Sequence, residues 1–260
     1  MDNRKQAEAD FHNIRERDRL ALEQQAFERK YPNKTFYSIT RKSQQSLREW
    51  MQQNCPGRIA LDYCCGLGKT TLELARHGAL AYGIDIAEEE IKEAARNAAV
   101  AGYSERTRFM IMDAEDLQFE DGFFDVIVCN GVLHHLDLDR AYSGLARVLK
   151  PDGQIICVEA LGHNPVINSY RRLTPHLRTA WEIDHILKLG DVERAKTYFG
   201  KVSVRFFYLF SILAIPFRKT PIFNSALGLL ETVDAFVLKI PLVQLLAWQI
   251  MFVLSEPKRK

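Results

Sequence analysis

Between Arg58 and Ala160 the chain alternates short apolar runs with longer stretches whose apolar residues recur at helical spacing. The runs Ile59–Cys64, Ala79–Ile86, Arg108–Ala114, Phe124–Asn130 and Gln154–Ala160 have the length and apolar content of buried strands. Helical periodicity covers Lys69–His77, Glu88–Ala101 and Asp139–Leu149, the last stopped by a turn at Lys150-Pro151-Asp152-Gly153. Strands and helices alternating at this spacing need right-handed crossovers, and therefore predict an α/β fold with a parallel sheet. Residues 1–50 are polar with sparse apolar positions such as Phe11, Ile14, Leu22 and Phe27, a pattern for one or two helices resting on something else. Beyond Ala160 the rhythm changes. Asn164–Phe199 reads as helical and basic, with Arg171, Arg172 and Arg178 close together, and Lys201–Phe210 and Trp248–Leu254 read as two more strands. The segment between those strands is an apolar insert. The expected divisions are residues 1–54, an N-terminal helical segment; 55–160, the α/β core; and 161–260, a helical segment with the last two strands and the insert.

Composition narrows the class. A chain of 260 residues with 47% hydrophobic and 26% charged residues can build a sizeable core, which excludes fibrous and disordered classes. The net charge of +2 conceals a division: residues 1–50 hold 11 basic against 8 acidic residues, 51–160 hold 10 against 18, and 161–260 hold 14 against 7. The five cysteines, Cys55, Cys64, Cys65, Cys129 and Cys157, are odd in number and lack framework spacing, so a reducing compartment is expected. The start Met1-Asp2-Asn3-Arg4-Lys5 has no signal-peptide core. Phe206–Phe217 and Ile240–Ser255 are free of charge, but Ser211, Pro216, Pro241 and Gln244 interrupt them, so no integral membrane segment is expected. Together these features predict a cytoplasmic protein with a greasy C-terminal part.

The strongest local signal is Ala60-Leu61-Asp62-Tyr63-Cys64-Cys65-Gly66-Leu67-Gly68, a strand running into a glycine turn that opens a helix. Such a turn lets a ligand approach the backbone, beside free N–H groups at the helix start. Asp85 ends the next strand, where an acid can accept hydrogen bonds from both ribose hydroxyls of an adenosine cofactor, and Asp113 ends the third. Phosphate readings fit less well. Gly66-Leu67-Gly68-Lys69-Thr70 looks like the end of a P-loop, but Tyr63 stands where the first glycine is needed. A dinucleotide fingerprint meets Thr71 at its third glycine.

An adenosine cofactor without a phosphate grip remains, and the run resembles motif I of class I S-adenosylmethionine (SAM) methyltransferases. The resemblance continues through Tyr82-Gly83-Ile84-Asp85-Ile86, Met112-Asp113-Ala114-Glu115-Asp116-Leu117, Phe124-Asp125-Val126-Ile127-Val128-Cys129-Asn130 with Val132-Leu133-His134-His135-Leu136, and Leu145-Ala146-Arg147-Val148-Leu149-Lys150-Pro151-Asp152-Gly153. It implies a doubly wound, Rossmann-like sheet of seven strands, the last antiparallel, with the N-terminal helices and the insert as a cap. It implies SAM as cofactor and S-adenosylhomocysteine as product. Asp62, Cys64, Cys65, Gly66 and Gly68 would form the loop at the methionine part, Asp85 and Ile86 the ribose site, and Asp113 and Ala114 the adenine site. Asn130 would follow on the fourth strand, and Tyr37 would close from the N-terminal segment. Cys64 departs from the family, which usually has its first loop glycine there. The Cys64-Cys65 pair has no second Cys/His pair at ligand spacing, so no metal is expected.

Transfer to an alcohol or phenol needs a base, and His134 and His135 follow the fourth strand at the cofactor edge. Glu159, ending the fifth strand, can orient an imidazole. This set resembles small-molecule, quinone and sugar O-methyltransferases, although one such histidine often only packs on the cofactor. His163, Tyr170, Arg171 and Arg172 follow strand five, where paired arginines could hold an acidic acceptor group or simply form a solvated helix face. The reading is a methyltransferase of a small, apolar molecule, at oxygen before nitrogen. A SAM-binding protein without methyl transfer and a P-loop NTPase are the alternatives. The insert suits a cap over a hydrophobic acceptor, a homodimer face, or a membrane-surface element. No nucleic-acid partner is expected, because the basic residues lack a reading motif.

Overall fold

The computed structural model describes residues 3–177 and 179–259, so Arg178 lies outside the described residues. In chain order the helices and strands are α1 (Asn3–Ala21), α2 (Gln24–Lys30), α3 (Arg41–Asn54), β1 (Ile59–Tyr63), α4 (Lys69–Arg76), β2 (Leu80–Asp85), α5 (Glu88–Val100), β3 (Thr107–Ile111), β4 (Phe124–Asn130), α6 (Leu138–Val148) and β5 (Leu149–Ala160). They continue with α7 (Pro165–Leu173), α8 (Ala180–His185), α9 (Leu189–Arg194), β6 (Phe199–Phe207), α10 (Phe223–Val237) and β7 (Gln249–Pro257). The strands form one sheet in the order β3-β2-β1-β4-β5-β7-β6. β1 to β5 are parallel, and β7 runs antiparallel between β5 and β6, as the family resemblance implies.

Side-chain alternation divides the core in two. Leu61, Tyr63, Ile127, Cys129, Ile155 and Cys157 face one layer. Ala60, Val126, Val128, Ile156 and Val158 face the other. Burial on both faces explains why the central strands read as unbroken apolar runs. Three boundaries differ from the sequence reading. The expected turn at 150–153 is a bulge inside β5: Phe124 pairs with Leu149 and Val126 with Gln154. Pro151 has no N–H for the ladder, and a Cβ on Gly153 would lie 2.9 Å from the Asp125 carbonyl oxygen. The helical stretch 164–199 breaks into three short helices with 3-10 turns at Pro175–Leu177 and Ala195–Thr197. Finally, β6 ends at Phe207, and Tyr208 adopts a left-handed φ of 65°.

The N-terminal segment and the insert meet. Arg41 on α3 grips Glu231 on α10 with two hydrogen bonds of 2.7 Å. The Ser43 N–H donates to the Tyr208 hydroxyl at 2.7 Å. The 3-10 turn at 32–39 packs on a second one at 211–217, and α1 lies across α5. No helix among the described residues is long and apolar enough to cross a membrane.

Candidate functional site

The strand order reverses between β1 and β4, and a crevice opens there beyond the strand carboxyl ends, as it does in open α/β sheets. A cavity of about 460 Å³ lies in it. Its floor is the loop after β1. The Cys65 N–H donates to the Ile84 carbonyl at 2.8 Å and the Gly68 N–H to the Cys65 carbonyl at 2.9 Å, curling the chain tightly. The curl needs left-handed backbone at Cys64 (φ 59°) and Gly66 (φ 49°). Cys64 therefore holds an L-residue in the conformation for which glycine is usual, which accounts for the family preference it departs from. Burial pushes both Cys64 and Cys65 thiols well above their ordinary pKa, so they line the cavity as neutral groups.

Asp85 is buried and clamps this loop. One carboxylate oxygen accepts from the Gly66 N–H at 2.9 Å and the other from the Ala87 N–H at 2.9 Å. Burial, reinforced by Glu90, raises its pKa despite these donors. Asp62, also buried, accepts from the Thr71 hydroxyl at 2.7 Å, and burial pushes its pKa to about 7. Gly68 does not reach the cavity. It starts α4 at φ 74°, where a Cβ would meet Ala94 at 2.9 Å and Phe109 at 3.0 Å.

On the opposite wall, a single 3-10 turn at Leu133–His135 carries both histidines. Glu159 is fully buried, and one of its oxygens accepts from the Val132 and Leu133 N–H groups at 2.8 Å each. Its other oxygen lies 2.7 Å from His134 Nδ1. An ionised carboxylate only accepts, so it holds the ring proton on Nδ1 and leaves the Nε2 lone pair free. Burial lowers the His134 pKa, but Glu159 more than offsets this and the net shift is upward. His135 shifts the other way, because burial and the neighbouring His134 charge outweigh Glu8. Glu8 Oε2 lies 3.1 Å from His135 Nδ1, misaligned for a hydrogen bond. These groups lie close enough for two three-donor sets, Glu8 with His12 and His135, and His134 with His135 and Glu182. Arg15 is 2.8 Å from His12 Nδ1, which puts a fixed cation beside the first.

The N-terminal helices were expected from the sequence, but no residue of α1, which closes over the crevice, was among the candidates. Lys5 reaches Asp113 at 2.6 Å and Glu115 at 2.9 Å, Arg4 donates to the His135 carbonyl at 2.6 Å, and Arg15 lies 3.3 Å from Glu90. Buried Glu8 and Glu16 in an otherwise polar helix were the available signal, but their burial depends on partners far along the chain. Trp248 and Gln249 at the start of β7 also line the cavity, and Gln249 Oε1 is a buried acceptor with no hydrogen-bond partner among the described residues. The signal there was one amide inside an apolar run.

Of the sequence candidates, Tyr37, Asp62, Cys64, Cys65, Gly66, Asp85, Ile86, Asp113, Ala114, Asn130, His134, His135, Tyr170 and Arg171 line the cavity, with Glu159 directly behind His134. Arg171 is buried and donates to the Leu161 carbonyl at 3.2 Å and to Asn168 at 2.9 Å, so it also ties α7 to the end of β5. His163 and Arg172 lie elsewhere. His163 Nε2 accepts from the Leu189 N–H at 2.9 Å, a structural tie, and Arg172 is exposed on α7. Among the described residues none between 211 and 247 lies on the cavity wall.

The cavity has the size of a cofactor site. It contains a cradle as well: Gly131, at φ 72°, has open space where a Cβ would stand. A buried carboxylate at the end of β2, a second acid at the end of β3 and a tight glycine loop suit an adenosine cofactor with no phosphate to neutralise. Fold and site together define a Rossmann-like, nucleoside-cofactor domain. Residues 61–157 match the family described as methyltransferase domain. Residues 61–157 are thus similar to SAM-dependent methyltransferase domains, and SAM is the cofactor of this type of domain. An uncharacterized methyltransferase of Synechocystis sp. is 36% identical over 113 residues, covering 42% of this chain and 50% of that protein. Magnesium-protoporphyrin O-methyltransferase of the same organism is 37% identical over 96 residues, covering 36% and 40%. The chain thus spans half, or less, of the length of these curated relatives. The crystal structure of magnesium protoporphyrin IX methyltransferase from Synechocystis, with bound S-adenosylhomocysteine, superposes with a TM-score of 0.62 at 19% identity, covering 97% of this chain and 100% of that one. At that identity the likeness concerns the fold.

Proposed function

We propose that the chain transfers a methyl group from SAM to an oxygen of a small, largely apolar molecule, with His134 as the base and Glu159 as its positioning residue. The observation that carries this reading is the buried His134–Glu159 pair on the cavity wall, with Nδ1 committed to the carboxylate. SAM supplies an electrophilic methyl carbon for in-line displacement. Everything else falls to the chain. Glu159, fixed by two backbone N–H groups, sets the tautomer and the ring plane, and Nε2 takes the hydroxyl proton as the oxygen attacks. Asp62 with the loop from Cys64 to Gly66 holds the methionine end, Asp85 with Ile86 the ribose, Asp113 with Ala114 the adenine, and Asn130 and Tyr37 complete the wall.

Phe36, Ile167 and Trp248 offer apolar contact to the acceptor, while Tyr170, Arg171 and the unpartnered Gln249 offer polar contact. The name of the porphyrin O-methyltransferase relative is consistent with oxygen as the methylated atom. Residues 1–54 close the site, 55–160 hold the cofactor, and the part of 161–260 that lines the cavity, between Ile167 and Ile186 with Trp248 and Gln249, receives the acceptor. Five free thiols suit the reducing cytoplasm. The test is transfer of labelled methyl from SAM into an extract of the producing organism, with identification of the labelled product. An O-methyl product whose formation is lost in His134→Ala, at unchanged SAM affinity, supports the reading. A labelled amine formed normally by His134→Ala refutes the oxygen-and-base part. SAM binding without any S-adenosylhomocysteine refutes methyl transfer itself.

A further inference from the structure

We propose that the insert between β6 and β7 is a docking surface for an anionic lipid bilayer, which the protein meets without crossing. Helix α10 is turned inside out. Its inward positions are Leu227, Glu231, Asp234 and, just past its end, Leu238, at helical spacing. Both acids are consumed there: Glu231 by Arg41, and Asp234 by the N–H groups of Leu209, Phe210 and Ser211 and the Ser211 hydroxyl. The outward stripe is Leu229, Val233 and Phe236, extended by Ile222 and Ile240 at the two ends. Leu229 is 68% exposed and Phe236 67%. A helix on a water-facing surface has the opposite arrangement. The loop that follows adds Leu242, 78% exposed and held at a left-handed φ of 69°, a strained way to present a leucine to solvent.

Charge selects the occupant. Between residues 208 and 248 the exposed charged side chains are Arg218, Lys219 and Lys239, all cationic, at the two ends of the helix. An apolar stripe flanked by cations, with every acid turned inward, complements the headgroups and upper acyl chains of an anionic leaflet. A second copy of this chain suits it less, because a two-fold contact would set these cations against their own equivalents with no exposed acid of the insert to pair them. The surface adjoins the proposed site: the turn at 32–39, which carries Tyr37, packs on the insert at 211–217. On the reading of an apolar acceptor, the bilayer would then be its source; the docking itself does not depend on that reading.

The test is sedimentation of the full chain with vesicles of phosphatidylglycerol and phosphatidylcholine, and with phosphatidylcholine alone. Binding is expected to the anionic vesicles, with loss at high salt. Leu229→Ser with Phe236→Ser, and separately Lys219→Glu with Lys239→Glu, should each weaken it about tenfold or more. None of these residues touches the cavity, so SAM affinity and melting temperature serve as controls for folding. Absence of vesicle binding overturns the proposal, as does equal binding to both vesicle types. A wild-type dimer in sedimentation equilibrium that Leu229→Ser with Phe236→Ser converts to a monomer assigns the surface to a second copy instead. Because no acceptor is used, failure here leaves the methyl-transfer reading standing.

Discussion

Replacing Glu159 with glutamine changes one atom and tests how the site prepares its base. The side chain is fully buried, and one oxygen already serves two backbone N–H groups at 2.8 Å. Leaving those donors unpaired would cost about 1–3 kcal/mol, so the glutamine oxygen stays on them and its NH₂ turns toward His134. That group can only donate, so Nδ1 must accept and the ring proton moves to Nε2, the nitrogen that should remove the acceptor proton. The charge-assisted contact at 2.7 Å is lost as well, about 1.5–3 kcal/mol. Correct base function is worth on the order of 10²–10⁴ in rate, and turnover should fall by that order with SAM affinity unchanged.

The pH profile gives an independent reading of the same substitution. His134 must be neutral to act, and Glu159 raises its pKa, so wild-type activity rises with pH through a value above the ordinary 6.5. In Glu159→Gln burial dominates, and the remaining acid limb should move down. Stability has the matching sign. A raised histidine pKa stabilises the fold at acid pH, and this contribution disappears as pH rises through the folded value. Glu159→Gln should remove or reverse that slope, because burial then holds the folded pKa below the unfolded one. The measurements are S-adenosylhomocysteine release against pH, ring titration by NMR and urea unfolding at several pH values. If the variant keeps wild-type turnover and the wild-type acid limb, His134 is not a base prepared by Glu159.

Three further outcomes follow from the loop and the sheet. Asp85→Asn loses one of the two acceptors that hold Gly66 and Ala87, so SAM should dissociate on the order of tenfold more readily by calorimetry. Cys64→Gly relieves a left-handed L-residue, worth about 1–2 kcal/mol, against a smaller gain in unfolded-chain freedom, so melting temperature should hold or rise slightly. Asp62 binds its proton more tightly folded than unfolded, with a pKa of about 7, so its contribution is full at low pH and lost as pH rises from the ordinary carboxylate range through 7. Asp62→Asn keeps an oxygen for the Thr71 hydroxyl and should flatten that decline in urea titrations.

The α/β core was readable because each of its strands is a local statement. An apolar run of strand length followed by an amphipathic stretch specifies strand and helix wherever the segment lies, and the five parallel strands appear within a few residues of expectation. That Asp85 and Asp113 reach one cavity wall was readable for the same reason, since they sit at or just past strand ends and all parallel strands end on one edge. Other details required distance. Gly68 and Gly66 are two residues apart, yet one faces Phe109 and the other Glu90. His163 and Arg171 lie in one polar segment, and only the chain folding back at Leu189 consumes the first while the cavity receives the second.

By itself, then, the sequence determined the parallel sheet, the sheet edge where the cavity opens and the nearness of the histidines to Glu159, because strand periodicity and order along the chain are local properties. Tertiary structure alone decided that α1 closes the crevice with Lys5 on Asp113, that Glu159 sets the tautomer of His134 rather than merely standing near it, and that α10 turns its acids inward and its leucines outward. Each of those depends on which distant group arrives as partner to a charge or a lone pair. Burial of a polar atom is set by that arrival, and no spacing along the chain encodes it.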